Sequence, residues 1–508
     1  MFRTRFVNIV LLCSLFLVPV RAQQPTTRAA EVIDIFADVM RQVDVNYVDT
    51  LNYEVLTEAA ISAMLRKIDP YTVYYSKKQD KDLRMLTQGK YGGIGSIIQQ
   101  RDGWTYAVNP YEGKPAQLAG ILAGDKILSV DGKKTKGMTV SEVSNNLRGE
   151  PGTTVVLEIE REGVEKPFKV SIVREDIHLE PVSYSTTFVA DSLPYPIGYI
   201  AFNEFTEGSA LAFTNALDEL YYNQGARALV MDLRGNGGGI VEEALQIVNL
   251  FVDRDTKVVE TRGKIARSNN VYKTRNNPRY KDLPLVILVD KNSASASEIV
   301  SGALKDLGRA TLIGQKTFGK GLVQNVRPVA HGGHVKVTTS KYYLPSDSCI
   351  QGVGIMPDIV MDDSAKVDIC YTLYMNHYFF DYATRYHRLH DSIAALPDFT
   401  VTDEMIADFC AFLDERKFKY ETETSKFFAD MIKMAKHEDL DSATIAQLEA
   451  LEPVLTPDFR EAIARNKEEV QHFLGTEIVL RYYYQKGQAA YNLRFDKELK
   501  RALKEIKK

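Results

Sequence analysis

The chain has 508 residues, 45% of them apolar and 26% charged, with a formal net charge of −4. That length suits about three domains, and the balance is that of a folded chain rather than a disordered one. A slightly acidic chain with no basic face excludes nucleic acid as the expected partner.

Residues 1–22 read as a unit of their own. Arg3 and Arg5 precede an apolar run, Phe6 to Val18, broken only by Asn8 and Ser14, and Val20-Arg21-Ala22 offers a cleavage site. That order is a secretory signal peptide. The run is too short for a spanning helix, which needs about 20 apolar residues. The expectation is an exported, periplasmic protein cleaved after Ala22. The mature chain then keeps Cys349, Cys370 and Cys410. Their spacing suits no metal site, and they read as structural thiols.

Residues 23–90 read as an N-terminal helical segment. Val32, Ile33, Ile35, Phe36, Val39 and Met40 recur at helical spacing, as do Leu56, Ala59, Ala60, Ala63, Met64 and Leu65, and the periodic region extends from 28 to 88 with a break at Asp69-Pro70. From Tyr91 to residue 176 the texture turns to short β-rich runs such as Thr154–Glu160, punctuated by Asp102-Gly103 and Asp131-Gly132. Within a core segment over residues 177–362, residues 183–360 alternate strand and helix. The strand around Ala228–Asp232 leads through a glycine cluster to a helix over Val241–Phe251. The strand Leu285–Asp290 leads through a Ser/Ala run to a helix ending near Gly308, and Ala310–Gly314 is a further strand. Such alternation predicts an α/β layer with crossover connections. Residues 363–508 read as helical throughout.

Three stretches carry candidate chemistry. Asn292-Ser293-Ala294-Ser295-Ala296-Ser297-Glu298 falls where a buried strand turns into a helix. A helix start exposes unpaired N–H groups and the positive end of the dipole, which suits a serine nucleophile with an oxyanion site beside it. Ser and Asn also cap helices with no chemistry intended. Small neighbours, Ala294 and Ala296, would leave room for a substrate backbone. In Thr317-Phe-Gly-Lys-Gly321, glycines flank Lys320 and allow close approach to another element. A lysine acts as a base only where an apolar setting lowers its pKa, here from Phe318, Leu322 and Val323. Gln324 lies four residues on and could orient the amine. Asp232-Leu-Arg-Gly-Asn-Gly-Gly-Gly239 offers backbone N–H groups to an anion, and it departs from a dinucleotide fingerprint at Ile240.

Taken in this order, the three motifs resemble those of the C-terminal processing peptidases, or tail-specific proteases. The resemblance implies a multidomain α/β chain: a Clp/crotonase-like α/β catalytic core preceded by a PDZ domain, with helical N- and C-terminal segments. It implies Ser295 as nucleophile and Lys320, 25 positions later, as general base, with Gln324 assisting. It implies an oxyanion hole from the N–H groups of Gly239 and Ala296. Residues 91–176 resemble the PDZ domain of these proteases, with Gly93-Ile94-Gly95 as the loop that would bind a terminal carboxylate. The expected partners are therefore protein or peptide substrates with free C-termini. Members of the family can also dimerise through terminal helices or work with a separate adaptor protein. No cofactor is expected. A histidine-based hydrolase would need a positioned histidine and often has a G-x-S-x-G elbow, which no serine here has. His331-Gly-Gly-His334 reads as a hairpin turn rather than a metal site. A non-catalytic PDZ scaffold is the remaining alternative, disfavoured because every expected catalytic position is filled.

Overall fold

In a computed structural model, residues 27–79, 90–178, 180–189, 193–361 and 368–506 are described. The leader expected over residues 1–22 lies outside them. The chain divides into two units, Met1–Tyr74 and Tyr75–Lys508.

The first unit holds helices α1 (Thr27–Asn46) and α2 (Tyr53–Arg66), the latter capped by the Asn52 side chain accepting from the Val55 N–H. Helical periodicity was expected to continue to residue 88. Helix α2 ends at Arg66, just ahead of the expected break at Asp69-Pro70, and a short strand β1 (Val73–Tyr75) follows, while the part of the expected helix over 80–88 lies outside the described residues. Asp69 explains the stop: its carboxylate accepts from the N–H groups of Tyr71 and Thr72, a turn that competes with helix. Among the apolar residues on these two helices only Leu65 is buried, while Val32, Ile33, Ile35, Phe36 and Val39 are exposed.

The second unit begins with a β module. Strand β2 (Lys90–Gly93) pairs with β9 (Glu175–His178). Strands β3 (Ser96–Arg101), β4 (Trp104–Pro110), β5 (Lys126–Val130), β7 (Thr154–Glu160) and β8 (Phe168–Val173) form an antiparallel sheet in that order, with β6 (Lys133–Lys134) beside β5. The two Asp-Gly pairs close two-residue hairpins, Asp102 and Asp131 both at φ 49°, as the twist of such hairpins demands. Helices α3 (Pro115–Leu118) and α4 (Val140–Leu147) complete the module. A capping box between Thr139 and Glu142 starts α4. Ile127, Val143, Leu157 and Ile172 centre a core of its own.

The next layer is a six-stranded sheet in the order β10 (Val182–Phe188), β11 (Ile197–Phe202), β12 (Ala228–Asp232), β15 (Leu285–Val289), β16 (Thr311–Gly314), β19 (Ile359–Val360). Only β10 runs antiparallel. Successive residues of a strand face opposite sides. Leu229, Met231, Ile287 and Val289 face one side, under helices α5 (Ser209–Asp218), α6 (Val241–Asn249) and α7 (Ala296–Asp306). The strand–helix alternation is thus as expected. Alternation alone did not foresee a second sheet inside the same span: β13 (Lys257–Gly263) and β14 (Asn270–Lys273) join the hairpin of β17 (Leu322–Pro328) and β18 (His334–Tyr343). His331 and His334 lie at the turn of that hairpin, as read from sequence.

The rest is helical: α8 (Ile369–Met375), α9 (Tyr378–Leu389), α10 (Asp403–Glu415), α11 (Glu423–His437), α12 (Ser442–Leu455), α13 (Phe459–Arg465), α14 (Lys467–Leu493) and α15 (Lys497–Glu505). Phe379, Tyr382, Phe409, Phe412 and Tyr491 fill an aromatic core that includes Cys370 and Cys410. None of Cys349, Cys370 and Cys410 is joined in a disulfide. The final helix leaves this core. Leu493, Leu499 and Ala502 cover Tyr199, Val230, Val286, Leu288 and Ile313 on the second face of the parallel sheet. The β module also docks on the helical region. Arg101 meets Asp381 of α9 through two hydrogen bonds of 2.8 and 2.9 Å, and Gln117 donates to Tyr484 of α14 at 3.0 Å.

Candidate active site

In a parallel sheet the loops that gather ligand leave the carboxyl ends of the strands. Three such loops here carry the three motifs. The glycine run follows β12, the Ser295 turn follows β15, and the Lys320 loop follows β16.

Ser295 occupies the N-cap position of α7 at φ 58° and ψ −113°, a conformation a non-glycine residue holds only where its surroundings force it. The forcing groups are its neighbours in the motif. Ser293 donates to the Leu233 carbonyl at 2.8 Å, and Ser297 donates to the Asn236 carbonyl at 2.9 Å. Ala294 N–H donates to the same Asn236 carbonyl at 3.0 Å. The outer serines therefore stitch the turn to the glycine run and leave the middle serine strained. The alanines were expected to make room for substrate. Both are buried, Ala296 in the main core, so their small size also serves packing.

The glycine run lies directly on this turn. A Cβ on Gly238 would come within 2.7 Å of Ser295 Cβ and 2.8 Å of Ala296 N, and φ at Gly238 is +96° and at Gly239 +147°. No other residue type fits either constraint. Phe205 N–H donates to the Gly238 carbonyl and Ile240 N–H donates to the Phe205 carbonyl. In such a parallel bridge the residue between, Gly239, turns its own N–H to the opposite side. Ala296 is the first residue of α7, so its N–H is one of the donors that a helix leaves without an internal acceptor.

Lys320 is half-buried. Burial pushes its amine below the usual lysine range, the nearby Lys336 charge adds to this, and Glu298 opposes it. Leu322 is buried as expected, and Val323 packs on the core. Phe318 is not part of the cover: it is 55% exposed. Its N–H is held by the Ser293 carbonyl, and the ring is left outside. Glycines at 319 and 321 let the lysine loop lie against residues 350–354, where Gln351 Oε1 accepts from Gly321 N–H at 2.9 Å. Gln324, expected to orient the amine, donates to Thr338 Oγ1 at 3.3 Å across the β17–β18 hairpin.

One residue that the sequence reading passed over organises the whole site. Glu298 is fully buried. Its Oε2 accepts from Ser295 N–H at 2.9 Å and from Lys320 N–H at 2.8 Å. Its Oε1 accepts from Thr317 Oγ1 at 2.6 Å and Gly319 N–H at 2.8 Å. The serine turn and the lysine loop thus hang on one carboxylate. The signal was present as an acid three residues after a helix N-cap, the capping-box position. What sequence could not reveal was that three of its four donors come from 19, 21 and 22 residues further on.

In the β module, Gly93 ends β2, and Gly95 takes φ +70°. Ile94 is buried in the module's core, so it can offer a ligand only its backbone. The Ile94 and Gly95 carbonyls accept from Ala116 and Tyr111 N–H groups at 2.7 and 2.9 Å. Next comes β3, an edge strand of its sheet with α4 alongside.

Comparison with known proteins agrees with this layout. Residues 196–361 match Peptidase family S41, residues 106–161 match a PDZ domain, and residues 369–506 match "Probable PDZ-protease, C-terminal helical domain". A "Carboxy-terminal-processing protease" of Bartonella bacilliformis is 37% identical over 334 residues, 64% of this chain and 74% of that one. A "Probable CtpA-like serine protease" of Staphylococcus aureus is 35% identical over 331 residues, 64% of each chain. Among solved structures, a "Photosystem II D1 C-terminal processing protease" is 29% identical with a TM-score of 0.42, covering 67% of this chain and 94% of its own. With a PDZ domain, an S41 core and a relative matched over most of its length, the chain belongs to the carboxy-terminal-processing proteases of peptidase family S41 and is a serine-type peptidase.

Proposed function

We propose that this peptidase cleaves proteins through a Ser295–Lys320 dyad, on chains whose C-termini its PDZ domain has captured. What carries the reading is the shared carboxylate. Glu298 Oε2 holds the backbone of a strained serine and the backbone of a lysine whose pKa is lowered. Neutral Lys320 Nζ takes the proton of Ser295 Oγ, which attacks the scissile carbonyl carbon. The N–H groups of Gly239 and Ala296 take up the negative charge on the carbonyl oxygen. The Lys320 ammonium returns its proton to the leaving amine, and an acyl ester remains on Ser295. Water then attacks that ester with Lys320 again as base, releasing the new C-terminus. Gln324, on the strand after the lysine and bonded to Thr338 Oγ1, assists by orienting the Lys320 amine.

The test is Ser295→Ala on an unfolded protein substrate. Cleavage should fall by at least about 10⁴-fold. Cleavage at the wild-type rate would move the nucleophile elsewhere. The same inactive variant, full length, should bind a peptide with a free apolar C-terminus more tightly than its amidated form. Equal binding would remove terminal-carboxylate capture from the reading.

A further inference from the structure

The glycine run between β12 and α6 has four positions without a side chain among Gly235-Asn236-Gly237-Gly238-Gly239. Such a run has wide conformational freedom and holds a shape only if pinned from outside. Its middle is pinned by Asn236, whose side-chain amide donates to the Phe202 carbonyl at 2.7 Å, and by Asp290, which accepts from Gly235 N–H at 2.9 Å. Its entrance is pinned by Arg234. The partners of Arg234 come from two places. Asp232, at the end of β12, accepts from Nε at 2.9 Å and from Nη2 at 2.5 Å. Asp496 accepts from Nη2 at 2.6 Å, and Glu498 accepts from Nη1. Asp232 is further held by the Tyr199 hydroxyl at 2.6 Å.

Asp496 and Glu498 belong to the last helix of the chain, 262 and 264 residues from Arg234. The side chains of the cluster are mostly buried, with exposures of 9% for Asp232, 11% for Asp496 and 21% for Arg234 and Glu498. Alternation explains the meeting. Asp232 shares a face of β12 with Ala228 and Val230, the face that α15 covers. A guanidinium held bidentately by one carboxylate and bridged to two more has its rotamer fixed in a way that packing alone would not achieve.

We propose that Asp496 and Glu498 are positioning residues for the peptidase reaction: through Arg234 they hold the glycine run in the shape that turns the Gly239 N–H toward the substrate carbonyl oxygen. The C-terminal helical region then supplies a part of the catalytic machinery as well as a layer of the fold. This rests on the assignment of Gly239 to the oxyanion site.

The double variant Asp496→Asn/Glu498→Gln tests it in the full-length protein. Both changes keep shape while removing charge, and asparagine still caps α15 in place of the Asp496 carboxylate that accepts from Leu499 N–H. The expected result is a fall in kcat of about 10- to 100-fold with KM within about threefold, because an oxyanion donor acts in the transition state. Leu499→Ala is the control. It loosens the same helix without touching the charges, so it should lower Tm while leaving kcat per folded molecule unchanged. A double variant with wild-type kcat per folded molecule, or one matched in kcat loss by Leu499→Ala, overturns the positioning role and leaves the Ser295 assignment standing. Activity in Ser295→Ala would instead overturn that assignment. Should the double variant lose its cooperative unfolding transition, Glu498→Gln alone is read by the same criteria.

Discussion

The two faces of the parallel sheet are built differently. One is covered by α5, α6 and α7, each reached within a few residues of the strand before it. The other is covered by α15, which arrives from the end of the chain after an independent aromatic core. The first face carries the Ser295 turn at the start of α7. The second carries the charge cluster that holds the glycine run. The site therefore sits where a local and a remote construction meet, and damage to each side should look different.

The largest such difference should come from Glu298→Gln on the local side. An amide can accept at one atom only, so two of the four donors now facing the carboxylate would meet an NH₂ group. Leaving buried donors unpaired costs about 1–3 kcal/mol each. Turnover and Tm should both fall, turnover by about 100-fold or more as serine and lysine lose their common support. Unchanged turnover would show that the carboxylate is only a helix cap. On the remote side, Leu499→Ala should cost about 2–4 kcal/mol of stability, as deletion of a fully buried leucine does. The folded fraction should cut at the wild-type rate. A parallel loss of turnover per folded molecule would mean that packing by α15, and not charge, shapes the site.

The same contrast explains what was legible in the sequence. Strands β12, β15 and β16 and helices α6 and α7 fall where periodicity put them, because each βα unit is closed by neighbours in sequence. The Ser295 turn was legible because its strain is produced by Ser293 and Ser297, two residues either way. Cover for Lys320 was only half legible. Leu322 turns inward and Phe318 outward, which depends on the Phe318 N–H bond to Ser293 and on the 350–354 segment lying alongside. The second sheet escaped because β13 and β18 are joined across some 80 residues, and no local pattern announces such a pairing. The partners of Arg234 and of Glu298 escaped for the same reason. A carboxylate in sequence looks alike whether it is solvated or holds four donors.

The central claim is that Lys320 works as a neutral base beside Ser295, and the pH dependence of kcat/KM tests it most directly. Burial lowers the Lys320 pKa, so its neutral fraction grows at a lower pH than that of a solvated lysine. The rate should rise with pH along a single ionisation below the ordinary lysine value of about 10.4 and then level off. Lys320→Arg should be inactive across the range, since a guanidinium does not give up its proton. An arginine variant that keeps wild-type activity, or a wild-type profile with its only ionisation at the ordinary lysine value, would contradict the account.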